Sequence, residues 1–277
     1  MKPSAETPAC FFVADGEVYH PTRLARGPWG PQLSGNYVGG LLGRAVEQQV
    51  SDPDLQPARL TVDLLRPVAP QPLQVDAHVV RRGRRLQLVD AVMIQEGTMV
   101  ARASALFLPR SEHTTATVWT SPIVMPDMPK EPEVLPDDLP MLLHSYGRDP
   151  VNGSPGVGVD QWRHNGQKFA WVRETKLLVD DEELTPFTRA AMAADVTSSL
   201  TNWSTAGLQF VNADYTLTLS RLPKGVHIGL AAVTHYSQSG VATGVATIFD
   251  REGPIGSGMA TALANPGFAP PPSMLPG

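Results

Sequence analysis

The first half of the chain contains a short apolar run, a loop rich in Gly and Pro, a longer apolar segment and then a long stretch of β-rich residues. This pattern predicts a strand at 10–13, a helix at about 32–49 and several strands from 60 to 108. A Gly turn inside the segment 92–101 is typical of a hairpin, since Gly adopts a positive φ without strain.

The second half repeats this order. Its pattern predicts a strand at 169–179, a helix at 186–203 and strands from 208 to 263. Thr185 precedes Pro186, as expected for a helix that begins with an N-cap residue followed by proline at the first helical position. The two halves therefore share the order strand, helix and a meander of about four strands.

Three pairs of segments carry the repeat. Each pair joins one segment of the first half to a similar one of the second: 60–67 with 215–223, 92–101 with 246–255, and the hairpin tips 81–85 with 237–240. A duplicated unit of this kind predicts an α+β fold in which one chain carries two copies of the same strand and helix arrangement.

Proline is unusually frequent in the chain: 27 of 277 residues are proline, about twice the usual share. The stretch from 122 to 140 is rich in proline and acidic residues without an apolar period, so an extended connector is expected. We predict an N-terminal domain at 8–112, a Pro-rich linker at 113–165, a C-terminal domain at 166–266 and a disordered tail at 267–277.

Charge and composition exclude several classes of protein. The net charge is −5, which disfavours general nucleic-acid binding. The single cysteine, Cys10, excludes an internal disulfide framework and a thiolate metal cluster. No apolar run approaches the ~18 residues of a membrane span, and the polar, Pro-broken N-terminus is unlike a secretion signal. A cytoplasmic protein is expected.

Both predicted helices are rich in small residues. The first has four Gly within Gly-Asn-Tyr-Val-Gly-Gly-Leu-Leu-Gly at 35–43, although Gly costs ~1 kcal/mol relative to Ala inside a helix. Close approach of the surrounding strands would explain this composition. Each helix also carries one polar residue in an apolar run, Asn36 in the first and Asp195 at the equivalent place in the second. A carboxylate among Ala and Val is a candidate general base.

Taken together, these segments resemble the double-hotdog acyl-CoA thioesterases of the acyl-CoA thioesterase II type. The resemblance covers residues from about 11 to 265 and rests on 35–42, on Leu-Leu-Arg-Pro at 64–67, on Ala-Asp-Val-Thr at 194–197, on 207–214 and on 250–255. It implies a double hotdog, in which two antiparallel sheets of one chain each wrap a helix.

The resemblance also implies a chemistry, the attack of water on a thioester assisted by a helix Asp, a strand hydroxyl and a Gln. The Asp position falls on Asp195. The hydroxyl position falls on Asn212 and the Gln position near Thr261, so this chain departs from the family at both. Asn and Thr still offer donors and acceptors that can fix a water molecule. Asp195, Asn212 and Thr261 are therefore the expected catalytic residues.

The start of the first helix is the expected substrate-binding region. It contains Gly35, Asn36 and Tyr37, and Asn36 is a candidate donor to the thioester oxygen. The arginine cluster at 81–85 has two interpretations, a grip on CoA phosphates or a solvated hairpin tip. The seven histidines are scattered without a metal-site spacing, and no phosphate loop is present, so neither a metal nor a cofactor is expected.

Three functions remain open at this stage. The first is an acyl-CoA thioesterase that uses water and Asp195, and the second is a non-catalytic acyl- or CoA-binding protein with a decayed site. The third is a hotdog hydratase or dehydratase acting on acyl-CoA, which needs an Asp and His pair that neither helix start offers. The expected partner is an acyl-CoA or a related thioester, and open sheet edges favour a homo-oligomer.

Overall fold

Two helical segments lie against the inner face of a curved sheet in the computed structural model, which describes residues 8–112 and 115–265. The first segment is α1 (Gly35–Gln48); the second consists of α2 (Pro186–Ala194) and α3 (Val196–Asn202). The strands of the first half are β1 (Cys10–Asp15), β2 (Val18–Pro21), β3 (Leu55–Leu64), β4 (Leu73–Arg82), β5 (Gln87–Gln95) and β6 (Thr98–Pro109).

Eleven further strands follow. They are β7 (Met141–Ser145), β8 (Gly156–Val157), β9 (Phe169–Glu174), β10 (Leu177–Val179), β11 (Trp203–Ser204), β12 (Gly207–Leu208), β13 (Phe210–Asn212), β14 (Asp214–Leu219), β15 (Ile228–Gln238), β16 (Val241–Asp250) and β17 (Gly253–Ala264).

One continuous sheet contains fifteen of these strands. Its order is β10-β1-β2-β4-β5-β6-β3-β14-β17-β16-β15-β9-β7-β8, and β13 pairs with β17 beside β14. One of the three pairs of similar segments, in β3 and β14, pairs directly at the centre, with Leu60 opposite Leu217 and Val62 opposite Tyr215. The expected α+β double hotdog is confirmed, and the sheets of its two halves are joined edge to edge through this pair.

The sheet closes around the helices through its two ends. Only Thr175 and Lys176 separate β9 from β10, yet β9 lies near one end of the strand order and β10 forms the other end. Since the three Cα–Cα steps from Glu174 to Leu177 span at most ~11 Å, the two ends of the sheet come close together. β10 then pairs in parallel with β1, with Cys10 opposite Leu177.

The glycines of α1 allow close contact, as expected, but mainly with another helix. A Cβ on Gly40 would lie 2.5 Å from the Cγ of Met192, and a Cβ on Gly43 would lie 2.9 Å from the Cβ of Ala191. Both neighbours belong to α2. Gly39 faces the hydroxyl of Tyr215 on β14. The small residues of the two helices therefore pack against each other inside the sheet, and the nearest neighbours of these three glycines are side chains, not strand backbone.

The second predicted helix is interrupted in the structure. The Thr185 side chain accepts a hydrogen bond from the Thr188 N–H at 3.0 Å, so the expected N-cap before Pro186 is confirmed. α2 ends at Ala194 and α3 begins at Val196, and the Ser198 N–H donates to the Asp195 carbonyl at 3.1 Å. Asp195 therefore occupies a tight junction between two helices.

The predicted linker at 113–165 contains ordered elements, among them β8, which pairs with β7. Residues 115–140 form neither helix nor strand, but Met141–Ser145, inside the predicted linker at 113–165, forms β7 and pairs with β9. Sheet pairing satisfies the backbone of this short apolar segment. The predicted disordered tail at 267–277 lies outside the described residues. Within the described part of the chain, no helix has both the length and the apolarity to span a membrane.

Candidate active site

A cavity of about 440 Å³ opens where the start of α1 meets the junction between α2 and α3. The first half of the chain contributes the start of α1 and the segment 64–68 that follows β3. The second half contributes β7, the helix junction and the strands β12 and β13. Most of the lining is apolar, and the volume is within the range of small-molecule sites. Both halves are needed to enclose this space.

Asp195 is the acidic residue of the cavity wall. Its Oδ1 accepts a hydrogen bond from the Asn212 Nδ2 at 2.8 Å, and its carboxylate also accepts one from the backbone N–H of Asn36. Gly35 leaves the room that the carboxylate occupies, because a Cβ there would lie 2.5 Å from Oδ1. The site thus joins the start of α1, the helix junction and β13.

Burial raises the pKa of Asp195 to about 6, while the hydrogen bonds from Asn212 and from the Asn36 backbone oppose that rise. The carboxylate also faces the N-terminal end of α1, whose dipole favours a negative charge. A carboxylate with a pKa near 6 is largely ionised at neutral pH, yet basic enough to take a proton from water. The arrangement is therefore suited to general-base chemistry.

The side chain of Asn36 has a different role from the expected one. Its Nδ2 donates to the Met192 carbonyl at 2.8 Å, and its Oδ1 accepts from the Ser34 hydroxyl at 2.9 Å. The amide therefore connects the start of α1 to α2 and is not directed at a substrate oxygen. What Asn36 contributes to Asp195 is its backbone N–H.

Tyr37 lies outside the cavity lining, in contrast to the expected substrate-binding position. Its ring stacks on Phe11 with centroids 3.7 Å apart, and only 4% of the residue is exposed. One position along a helix turns a side chain by about 100°, so Tyr37 points into the core while Gly35 and Asn36 line the cavity.

Thr261 is not brought to Asp195. Along β17, Ala260 and Ala262 are buried on the inner face, and Thr261 between them points to the opposite face. Its hydroxyl and its backbone N–H both donate to the Asp214 Oδ1, at 2.6 and 2.7 Å. The residue therefore belongs to the outer face of the sheet, and the structure does not support its expected catalytic position.

Several cavity residues were not expected from the sequence. Ser198 and Ser199 follow Asp195 by three and four positions, a spacing that places helical side chains near one another. That spacing was an available signal. Met141 and Leu143 line the cavity from β7, which lay inside the predicted linker. Arg66 lines it from the segment 64–68, which the repeat and the resemblance to the family marked without indicating a site.

The arginine cluster at 81–85 lies away from the cavity. Gln87, at the base of that hairpin tip, donates to the Gln49 carbonyl just beyond the last residue of α1. The cavity is at the other end of α1, and 14 helical residues span about 21 Å. The interpretation as a solvated hairpin tip fits this position, because the four arginines are exposed.

Among residues 8–112 and 115–265, no group of three or more His, Cys, Asp or Glu side chains is placed to hold a metal ion. His113 of the scattered histidines lies outside this part of the chain. The polar groups near Asp195 are amides and hydroxyls, which hold water and carbonyl groups by hydrogen bonds.

Two protein-family models match consecutive parts of the chain. The acyl-CoA thioesterase N-terminal domain matches residues 25–108, and the acyl-CoA thioesterase C-terminal domain matches residues 122–264. Together they cover most of the chain, including the helix junction and both walls of the cavity. None of the curated proteins compared with the chain matches it.

Solved structures share the fold at low sequence identity. A hot dog fold protein of unknown function from Alicyclobacillus acidocaldarius has a TM-score of 0.67 at 18% identity, over 94% of this chain and 96% of that one. An acyl-CoA thioesterase II from Mycobacterium marinum has a TM-score of 0.62 at 19% identity, over 92% and 95%. At such identities the likeness establishes the fold.

Proposed function

The chain belongs to the acyl-CoA thioesterase family and is a thioester hydrolase, and from this premise we propose that it hydrolyses an acyl-CoA with Asp195 as the general base. The observation that carries the proposal is the position of one carboxylate, with a pKa raised to about 6 by burial, on the wall of an apolar cavity. An apolar acyl chain fits this lining, and the base lies beside it.

In the proposed mechanism, Asn212 and the Asn36 backbone N–H hold the carboxylate in place. The oxygen of a water molecule attacks the carbonyl carbon of the thioester, and Asp195 takes the proton. Negative charge builds on the carbonyl oxygen, and the dipole at the N-terminal end of α1 favours that charge. The carbon–sulfur bond then breaks, and the proton passes from Asp195 to the leaving thiolate. The products are the free acid and CoA.

Thiol release from a panel of acyl-CoAs tests this proposal. General-base catalysis contributes ~10²- to 10⁴-fold, so Asp195→Asn is expected to lower kcat by at least about 100-fold. Asp63→Asn is the matched control, since its carboxylate pairs with the exposed Arg102 on the outer face. Near-UV circular dichroism verifies the fold of both variants. Full activity of Asp195→Asn would overturn the assignment.

The alternative of a non-catalytic binding protein predicts a different result. An acyl-CoA would raise the melting temperature of the wild-type protein without any release of thiol. A thermal-shift titration beside the hydrolysis assay separates the two. The homo-oligomer expected from the sequence stays a prediction, which light scattering after size-exclusion chromatography measures.

A further inference from the structure

The cavity has an apolar floor and a charged rim. Its floor includes the buried side chains of Leu143, Val159 and Trp203. At its rim lies the segment 64–68, in which Leu65, Arg66 and Pro67 are exposed. Of the described residues that line the cavity, Arg66 is the basic one and Asp195 the acidic one. The two ends of the cavity therefore differ in polarity.

The backbone around Arg66 is held firmly. The N–H groups of Leu65 and Arg66 both donate to the Val100 carbonyl at 3.1 Å, and the Val68 carbonyl accepts from the Leu33 N–H at 2.8 Å. Just beyond it, the side chain of Gln95, 7% exposed, makes three hydrogen bonds to the backbone of residues 69 and 71. The segment 64–68 is therefore held in a fixed position.

The guanidinium of Arg66, in contrast, makes no hydrogen bond or ion pair with any residue of 8–112 or 115–265, because the bonds found for this residue involve its backbone. Other arginines of the chain are engaged: Arg102 pairs with Asp63, and Arg221 pairs with Asp250. Arg66 therefore presents the parallel N–H donors of its guanidinium to an incoming anion at the cavity rim. The spacing of these donors matches two oxygens of a phosphate.

We propose that Arg66 binds a phosphate of the CoA moiety, so that the acyl chain enters the floor of the cavity first and CoA leaves over the segment 64–68. This inference rests on the proposed function and adds the orientation of the substrate. The reverse orientation would place charged phosphates against Trp203 and its apolar neighbours, where burying them without partners is costly. Arg66 is thus a specificity residue for the CoA end of the thioester.

Two substrates with the same acyl group test the proposal. Octanoyl-CoA carries the phosphates, and the octanoyl thioester of N-acetylcysteamine lacks them. Arg66→Ala is expected to raise KM for octanoyl-CoA about tenfold with kcat within about twofold, and to leave the N-acetylcysteamine thioester unchanged. Arg66→Lys should give an intermediate KM, since it keeps the positive charge and loses the two parallel N–H donors of the guanidinium. Added salt should slow the wild-type protein on octanoyl-CoA more than it slows Arg66→Ala.

Arg84→Ala is the matched control, because it removes the same charge from the exposed hairpin tip at 81–85. An equal effect of Arg66→Ala and Arg84→Ala would overturn the proposal, since only overall charge would then matter. An equal loss on both thioesters would also overturn it. So would a defect of Arg66→Ala confined to N-acetylcysteamine thioesters whose acyl chain ends in a carboxylate, because the anion would then lie at the acyl end.

Failure of the proposed function gives a different pattern. If the wild-type protein hydrolyses neither thioester, the catalytic proposal fails, and calorimetric titration with CoA itself still measures the role of Arg66. A tenfold weaker Kd for CoA in Arg66→Ala, with Arg84→Ala unchanged, supports the phosphate contact. An unchanged Kd in Arg66→Ala overturns it.

Discussion

The Asn212 Nδ2 donates to the Asp195 Oδ1 at 2.8 Å. This bond joins the strand β13 to the junction between α2 and α3 on the wall of the cavity. The same carboxylate also accepts a hydrogen bond from the backbone N–H of Asn36. Because a hydrogen bond to the ionised form favours that form, Asn212 acts against the burial that raises the pKa of Asp195.

The pH profile of hydrolysis is expected to depend on this bond. Asp195 accepts a proton only when it is ionised, so kcat/KM should rise with pH and level off above an apparent pKa of about 6. Asn212→Ala removes a bond that lowers this pKa, so the rising limb should move to higher pH by about one unit. Asn152→Ala, in an exposed loop, is the control. If kcat/KM of Asn212→Ala rose over the same pH range as that of the wild-type protein, the hydrogen bond from Asn212 would not lower the pKa of Asp195.

Gly35→Ala tests the space that the carboxylate needs. The new Cβ would lie 2.5 Å from the Asp195 Oδ1, so the carboxylate has to move. A displacement of this size is expected to lower kcat by about 10- to 100-fold. Initial rates and chemical unfolding of the same preparation separate catalysis from stability.

Gly43→Ala is the comparison for that experiment. Its Cβ would approach the Ala191 Cβ at 2.9 Å, within the same pair of helices but away from Asp195. This variant should lose stability while its folded fraction keeps the wild-type kcat. If Gly35→Ala behaved like Gly43→Ala, the position of Asp195 would not control the rate.

Thr261→Ala distinguishes the outer face of the sheet from the cavity. Because the Thr261 hydroxyl donates to Asp214, its loss is expected to cost about 1 kcal/mol of unfolding free energy and to change kcat by less than about twofold. Urea unfolding and steady-state kinetics measure the two effects. A fall in kcat comparable with that of Asp195→Asn would return Thr261 to the active site.

Glu174 is expected to make stability depend on pH. It is 3% exposed, and burial raises its pKa from 4.5 to about 7, despite the opposing effects of its own backbone and of Arg189. The folded protein therefore holds this proton more tightly than the unfolded chain does. The resulting stability is complete below pH ~4.5 and is lost as the pH rises through 7, a loss of about 3 kcal/mol.

Urea unfolding at pH 5 and at pH 8 measures this loss. Glu174→Gln keeps a neutral group at the buried position, so its stability should fall less than that of the wild-type protein over the same interval. Asp195 titrates in both proteins and its effect cancels in the comparison. Glu133→Gln, on the exposed connector, should follow the wild-type protein. Equal losses in Glu174→Gln and the wild-type protein would refute the assignment.

The local elements were predictable because their signals are local. Runs of β-rich residues on either side of Gly turns located the hairpins, and Thr185 with Pro186 located the start of α2. The strand β7 was not predicted, because five residues beside a Pro-rich connector carry too little pattern to distinguish a strand from a loop. Its pairing partner, β9, is more than twenty residues away, and only that contact makes the segment a strand.

By itself, the sequence determined the duplicated order of elements, the small-residue helices and the polar residue in each of them, since spacing and composition within a few turns are sufficient for these features. Only the tertiary structure decided which side chains share the cavity. Thr261 and Asn212 were both strand candidates, and the register of β17 placed the first on the outer face while β13 placed the second beside Asp195. The reason is physical, because the face a side chain takes depends on strand pairing between distant segments.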